Sequence, residues 1–536
     1  MNKENEFEKI KQKAQESEEK HISENESEET PRESQATKIV RLIENPKEHI
    51  ELFHDEMKKA YIVLSLGGHK EVWLCESKEI KQWISRKYWE TYHAVPGSEA
   101  VKSAISILIA KACFDGEEKK LHIRVARDAD TLWYDLTNSQ WEAIKITREG
   151  WSLEKSPPRI FKRFHHQKSQ VLPERGGDLR DFLQFVNISN EEHQLLLMVS
   201  IVSSFIPGFP HPAIFIHGVQ GSAKSTLSKL LRTLVDPSQI EAAEMPRSLP
   251  DFVQLLSHHW LLNFDNISTL SQERSDLLCK AITGTGFSKR ELYSNDSDII
   301  YKIQACITLN GINLPASSPD LLERGFIVEL TRIPPSERRD EEEFYREFEK
   351  LRPRILGGIF STLSQTLVNI SSVSLDEKFR MADFTKWGCA ISQALGYSQE
   401  AFLTAYRHNI EEQNMNILND SPVASTLMEL MEEKNIWEGT ATQLLNELRD
   451  IADTHQMDMG VYSGFPKVAN QLTKKLNRLK PNLWEIGIEI QDSRKNKERT
   501  LSIKKHSQTE KDVREVFADV LIGDDSDDSD DTNLSF

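Results

Sequence analysis

A chain of 536 residues is long enough for about three domains, and 38% hydrophobic with 28% charged residues excludes a fibrous or membrane-embedded class. The net charge of −17 sits largely in the tails, because residues 1–35 hold 6 Lys/Arg against 11 Glu and residues 519–536 hold 7 Asp and no base, so a nucleic-acid partner for the body is not excluded. The longest apolar run, LLLMVSIVSSFI from Leu195, is about 12 residues where a bilayer span needs ~20; the five cysteines form no CxxC pair, and the expectation is a cytoplasmic protein without a membrane partner.

Residues 1–35 have almost nothing to bury and read as an acidic disordered tail. From residue 36 to 165 the pattern predicts an accessory α+β domain. KIVRLIENPKEHIELFHDE reads as a helix, KAYIVLSLGG, KEVWLCES, LHIRVARDA and DTLWYDL as short strands, and EAVKSAISILIAKACF as a second helix. The RDAD stretch at Arg127–Asp130 sits in a charged turn, which favours a polar hairpin connection over a metal-binding carboxylate pair. The segment SPPRIFKRFHHQKSQVLPERGGD is broken by prolines and glycines and reads as a linker, assigned to residues 166–184. Neither His165–His166 nor His258–His259 has ligands at metal spacing, and both read as surface or interface pairs.

Residues 185–335 carry the chemistry. HPAIFIHGVQGSAKST has the order buried strand, loop, helix, in which successive backbone N–H groups converge on phosphates at the positive end of a helix. The loop residues are Gly218, Val219, Gln220, Gly221, Ser222, Ala223, Lys224, Ser225 and Thr226; Lys224 reaches the β and γ phosphates of ATP and Ser225 completes a Mg²⁺ shell. Ala223 stands where the pattern GxxxxGK[ST] has glycine, and it is tolerated if it lies in right-handed helical space. About 35 residues on, HWLLNFDN ends a second strand with Asp265, placed to hold Mg²⁺ through water. The next residue, Asn266, is no base; it either positions water by hydrogen bonding, or Glu273 or Asp276 takes that part. A third strand, KIQACITLNG, ends in Asn310, suited to sense a γ-phosphate, and Arg324 follows between a short helix and another strand, suited to act on a neighbouring subunit's nucleotide.

With these residues in place, DLLCKAITGTGFSKRELYSND and ACITLNGINLPASSPDLLERGF resemble the core of superfamily 3 helicases and of phage and plasmid primase-helicases of the poxvirus type. Lys280, Thr283, Gly284, Gly286, Arg290, Leu292 and Tyr293 match an intermediate motif of that family. The resemblance implies that Lys280, Lys289 and Arg290 touch single-stranded DNA in the channel of a ring, and that the ring is a homo-oligomer, usually a hexamer, with an AAA+-like fold. The chain is also similar to large ATP-binding proteins of bacterial mobile elements, which share GSAKST and DN at these places.

Residues 336–420 read as a helical lid-like region. Residues 421–505 give three helices and then two strands across a basic turn, the order of a winged helix. Between Lys467 and Lys505 there are 11 Lys/Arg and 4 acids, and Lys474, Lys475 and Arg478 on the third helix fit contact with duplex DNA. Residues 506–536 form an acidic tail ending in Phe536, a candidate docking tip for a protein partner. The fold expected is an α/β P-loop NTPase core, AAA+-like, with an N-terminal mixed α+β domain and a C-terminal winged helix. The function expected is a DNA-dependent ATPase, a ring helicase replicating a mobile element; the alternative is an ATP-switched DNA-binding or sensor protein with little turnover, regulatory or defensive.

Overall fold

The computed structural model describes residues 33–45, 49–267, 270–284, 287–290, 298–301, 303–311, 319–375, 379–457, 465–495 and 498–506. Gly286, Leu292, Tyr293 and both acidic tails, Phe536 included, lie outside them. The described residues fall into two units. The first holds those up to Lys145 and Ser152–Gln170, the second Ile146–Trp151 and those from Val171 onward.

The first unit opens with α1 (Gln35–Ile43), capped by the Ser34 hydroxyl, which accepts from the Thr37 N–H at 3.1 Å. Here the single helix expected from residue 38 to 56 gives way to a strand, β1 (Glu51–His54). Pro46 lacks an amide N–H and pushes the residue before it toward extended backbone, which favours ending the helix ahead of it. β1 joins β2 (Ala60–Leu66), β3 (His69–Leu74) and, after α2 (Lys78–Tyr92) and α3 (Ser98–Phe114), β4 (Glu117–Glu118), in a sheet of order β3-β2-β1-β4. Ala104, Leu108 and Ala112 recur at helical spacing on α3 and pack with Ile39, Ile62 and Ile84 in one core. A second sheet has order β5-β6-β7-β8, formed by β5 (Val125–Asp128), β6 (Thr131–Asp135), β7 (Ala143–Thr147) and β8 (Gly150–Glu154). Asp128 pairs with Thr131 across a two-residue turn, so the RDAD stretch is a polar hairpin, as the charge pattern predicts.

The stretch read as linker behaves differently from expectation up to Gln170. Phe161 is buried and bridges His122, and Gln170 is buried with its side-chain amide donating to the Tyr134 hydroxyl at 3.1 Å. Prolines at 157 and 158 exclude regular structure, but the aromatic side chains that follow find a core to enter.

In the second unit a 3-10 turn (Leu179–Phe185) leads to α4 (Glu191–Ser203). Every residue of α4 from Leu195 to Ser203 is buried, which explains the apolar run as a core helix; no helix among the described residues is long and apolar enough to cross a membrane. The centre is a mixed α/β arrangement around a parallel sheet of order β10-β13-β9-β14. Its strands are β9 (Ala213–Gly218), β10 (Leu261–Phe264), β13 (Cys306–Asn310) and β14 (Gly325–Leu330). Around them lie α5 (Lys224–Val235), α6 (Leu249–His258), α7 (Gln272–Thr283), the antiparallel pair β11 (Phe287–Arg290) and β12 (Asp298–Tyr301), and α8 (Pro319–Leu322). The sheet strands are buried and nearly all apolar, as parallel strands covered on both faces must be.

Three helices follow, α9 (Glu341–Asn369), α10 (Ala382–Ala394) and α11 (Gln399–Asn419). Asn409 on α11 satisfies the open edge of β14. Its carboxamide accepts from the Ile327 N–H and donates to the Ile327 carbonyl, both at 2.8 Å, so the edge strand presents no free pair to another chain. The C-terminal part runs α12 (Pro422–Glu433), β15 (Ile436–Thr440), α13 (Ala441–Thr454), α14 (Ala469–Glu485), β16 (Ile488–Lys495) and β17 (Glu498–Lys505), with sheet order β15-β17-β16. β15 was not expected: it is short and closed immediately by the Thr440–Gln443 capping box of α13.

Candidate functional site

Because the four strands are parallel, their carboxyl ends share one edge of the sheet, where α/β folds gather ligands. β9 delivers the loop Val219–Ala223 there, β10 delivers Asp265 and β13 delivers Asn310, and β13 lies between the other two. Register fixes this convergence: Phe264 faces Leu309, and Asn310 faces Ile216.

The loop is built on unusual backbone. Gly218 has φ of +151°, and a Cβ there would meet the Leu330 carbonyl oxygen at 2.5 Å and Ser222 Oγ at 2.7 Å, so the turn off β9 requires glycine. Gly221 has φ of +82° and opens onto solvent. Ala223 is a correction to the reading above: it is the N-cap of α5 with φ of +67° and ψ of +31°, left-handed rather than right-handed space. Its methyl costs roughly 1–2 kcal/mol there, and the conformation persists because the surrounding loop and helix enforce it.

The side chains then converge. Lys224 Nζ donates to the Gly218 carbonyl at 2.6 Å and the Val219 carbonyl at 3.0 Å, curled over the loop, and partial burial lowers its pKa against the opposing pull of Asp265. Ser225 Oγ donates to Asp265 Oδ1 at 3.2 Å, so the hydroxyl and carboxylate expected to share a Mg²⁺ meet across 40 residues of sequence. Ser222 Oγ is buried with no hydrogen-bond partner, an orphaned polar atom beneath the loop. The donor set, an ammonium, a hydroxyl and a half-buried carboxylate around an exposed loop at a helix N-terminus, fits a magnesium-bound triphosphate.

Asn310 has a different set of contacts from those of a free phosphate sensor. It is 3% exposed; its Oδ1 accepts from the Asn266 N–H at 2.8 Å, its Nδ2 donates to Ser228 Oγ at 3.1 Å, and its backbone carbonyl accepts from the Ile267 N–H at 2.8 Å. These bonds hold the turn after β10, in which Asn266 is exposed with φ of +55°, a region asparagine tolerates better than most residues. Glu273 and Asp276 lie on exposed positions of α7, and Asp276 accepts from Gln272 at 2.8 Å.

Arg324 sits at the other edge. It directly precedes β14, whose first residue Gly325 pairs with Ala213, five residues from the phosphate loop at Gly218. At about 3.3 Å per residue this is roughly 17 Å, the length of the strand. Its guanidinium is held by Asp320, at 3.1 Å to Oδ1, and Asp320 also pairs with Arg380. One arginine was not singled out by sequence. Arg338 is exposed and its Nη2 lies 3.6 Å from the position a Cβ of Gly221 would occupy, while the Ile333 N–H donates to the Gly221 carbonyl at 3.4 Å. The signal available was the basic pair in PPSERRDEEEF, but nothing in chain order says that this segment passes the loop.

The expected DNA contacts fall in two groups. Lys280 is exposed in the last turn of α7, and Lys289 and Arg290 lie on β11, opposite Ile299 and Asp298. Lys474, Lys475 and Arg478 share α14; Lys474 and Arg478 are exposed, and the half-buried Lys475 has its pKa lowered by burial and then by Arg478.

Residues 179–416 match the family model described as the actinomycete integrative conjugative element replication protein, and residues 423–515 match the model of the RepA C-terminal domain of those elements. Across these segments the chain is similar to that replication-protein family. The two matches take in the parallel sheet, its carboxyl edge and the C-terminal helices and sheet, and leave the first unit outside. No curated protein sequence matches the chain. Among solved structures, two apo forms of the NrS-1 C-terminal region are similar at 11% and 12% identity, each covering 87% of this chain and 99% of its own, with TM-scores of 0.40 and 0.38. A mobile-element replication protein accounts for an acidic chain with local basic helices, since DNA is the substrate of replication.

Proposed function

We propose that this replication protein is an ATP hydrolase that acts on DNA as an oligomeric ring, a helicase for replication of its element. The observation that carries the reading is the meeting of Lys224, Ser225 and Asp265 at the carboxyl edge of the sheet. Lys224 leaves the loop carbonyls to take the β and γ phosphates, Ser225 and Asp265 hold Mg²⁺, and the metal supplies charge neutralisation for phosphoryl transfer. Asn310 keeps the Asp265–Asn266 turn in place, and Arg338 adds positive charge from the same subunit. Arg324, a strand's length from its own loop and held by Asp320, would reach a neighbouring subunit's nucleotide once that pair opens, as a ring mechanism requires.

Hydrolysis would then move Lys280, Lys289 and Arg290 along a single strand. The element order α12, β15, α13, α14, β16, β17 is that of a winged helix, with α14 as the helix that offers Lys474 and Arg478 to duplex phosphates. The acidic tail remains a candidate docking tip for a protein partner, and a cytoplasmic location follows from work on the element's DNA.

A second reading, an ATP-switched DNA-binding protein with little turnover, is favoured by one residue. Asn266 supplies no base where the attacking water would stand. Turnover of ATP measured with and without single-stranded DNA, for the native chain and Lys224→Ala, separates the two. DNA-stimulated turnover that falls by about 10²-fold or more in the variant is expected; nucleotide binding with negligible turnover on DNA sinks the helicase.

A further inference from the structure

The first unit carries a basic surface that neither the family match nor the nucleotide site accounts for. Residues 155–170 hold five Lys/Arg and two His with no carboxylate, inside an acidic chain. Their placement keeps these charges together. Lys162 Nζ stands 5.0 Å from the Phe164 ring centroid and 5.8 Å from that of Tyr61, and the Phe164 and His166 rings stack at 5.8 Å with planes 10° apart. Alternate residues thus form one row, ammonium, phenyl, imidazole, with exposed Lys59 beside it.

The row is held before any ligand arrives. The Lys162 N–H donates to the His122 carbonyl at 2.8 Å, and Phe164 and Gln167 close a turn, the Phe164 N–H donating to Gln167 Oε1 at 2.9 Å and the Gln167 N–H to the Phe164 carbonyl at 3.0 Å. Arg159 and Arg163 are paired, with Asp128 and Asp135, which leaves Lys59 and Lys162 as the cations of the row. Lys162 has its pKa lowered by burial and by Lys59, with Asp55 the opposing carboxylate; His122 is lowered to about 4 by burial, Lys120 and Arg159. Nearby, Asp128 pairs with Arg159, and Glu79 stands 3.7 Å from the His165 ring. The cation–π contacts contribute a little to the fold by themselves, and a polyanion with stackable bases would gain from both the ammonium groups and the ring faces.

We infer that Lys59, Lys162, Phe164 and His166 form a platform for a single strand of nucleic acid, phosphates on the lysines and a base against the Phe164–His166 pair. A duplex hides its base faces, so the platform selects single strands; a ribose or deoxyribose backbone meets the same chemistry. This site is separate from the ATP-driven channel and does not require nucleotide.

The test uses the full chain without nucleotide. Fluorescence anisotropy with labelled 20-residue oligo-dT, oligo-rU and a duplex is compared for the native protein, Phe164→Ala with His166→Ala, Lys59→Gln, and the conservative Phe164→Trp. Base stacking on an aromatic is worth about 1–3 kcal/mol, so the double variant is expected to weaken single-strand binding by about fivefold or more at unchanged melting temperature. Phe164→Trp restores it, the duplex is unaffected, and ultraviolet crosslinks of the native complex fall in residues 159–168. Tighter binding of oligo-dT or of oligo-rU identifies the natural strand. Unchanged affinity in the double variant, or crosslinks that avoid residues 159–168, overturns the proposal; so does equal loss of duplex binding, which marks a bare charge surface.

Discussion

At the carboxyl ends of β9, β10 and β13, Lys224 and Asp265 stand half-buried, Asn266 is exposed and Asn310 is buried, and the backbone takes left-handed turns at Gly221, Ala223 and Asn266. At the amino ends, His211 is buried between Phe209 and Trp260, with ring centroids at 4.4 and 5.7 Å, and Arg324 is tied down by Asp320. The carboxyl edge holds left-handed backbone beside the orphaned Ser222 Oγ, and at the amino edge the buried polar group is the His211 ring, enclosed by aromatic side chains. At the carboxyl edge the left-handed backbone coincides with convergent polar side chains, a combination that functional sites favour.

The comparison breaks first at Arg324. Arg324→Ala is expected to lower ATP turnover by roughly 10³-fold or more while leaving nucleotide binding intact. Mixing it with Lys224→Ala subunits restores measurable turnover, since each supplies what the other lacks; no recovery would place both residues in one subunit's site. Next is Asn310→Ala, which leaves the Asn266 N–H and Ser228 without their partner in a buried setting. A loss of about 1–3 kcal/mol in urea unfolding is expected, together with weaker Mg²⁺ dependence of nucleotide binding as Asp265 loosens.

Acid tests the packed edge. Burial lowers His211 to about 3, below the ordinary value of about 6.5, so the unfolded chain binds its proton first. Stability from the neutral ring is fully present above about pH 6.5 and is lost as pH falls toward 3, at no more than about 1.4 kcal/mol per pH unit. Thermal melts at pH 7 and pH 5 should separate less in His211→Phe than in the native chain. The smallest effect is at the strained edge: Ala223→Gly relieves left-handed alanine and is expected to raise stability by about 1 kcal/mol in the same unfolding assay. Destabilisation there would mean the methyl is packed rather than tolerated.

Much of the parallel sheet was legible because buried strands declare themselves as short apolar runs, and each of AIFIHG, LLNF and CITLN is a strand that ends in, or is followed at once by, a polar residue or a glycine. The loop was legible for the same reason, since strand, glycines, lysine and helix follow one another. Ala223 was misread because sequence does not report φ, and a methyl looks harmless until the backbone is known to be left-handed. The stretch SPPRIFKRFHHQKSQVLPERGGD was read as a linker from its prolines and glycines, while the burial of Phe161 and Gln170 within it reveals itself only beside their partners His122 and Tyr134.

By itself the sequence determined which groups the chain offers, a lysine and serine after a glycine loop, an aspartate and an asparagine at strand ends, and an arginine ahead of a strand. Local order and hydrophobic period are enough for that. Only the tertiary structure decided which of them meet. Strand order β10-β13-β9-β14 sets Asp265 against Ser225, leaves Arg324 a strand's length away, and brings Arg338 to the loop, because contacts between distant segments follow from the pairing of strands and not from their spacing along the chain.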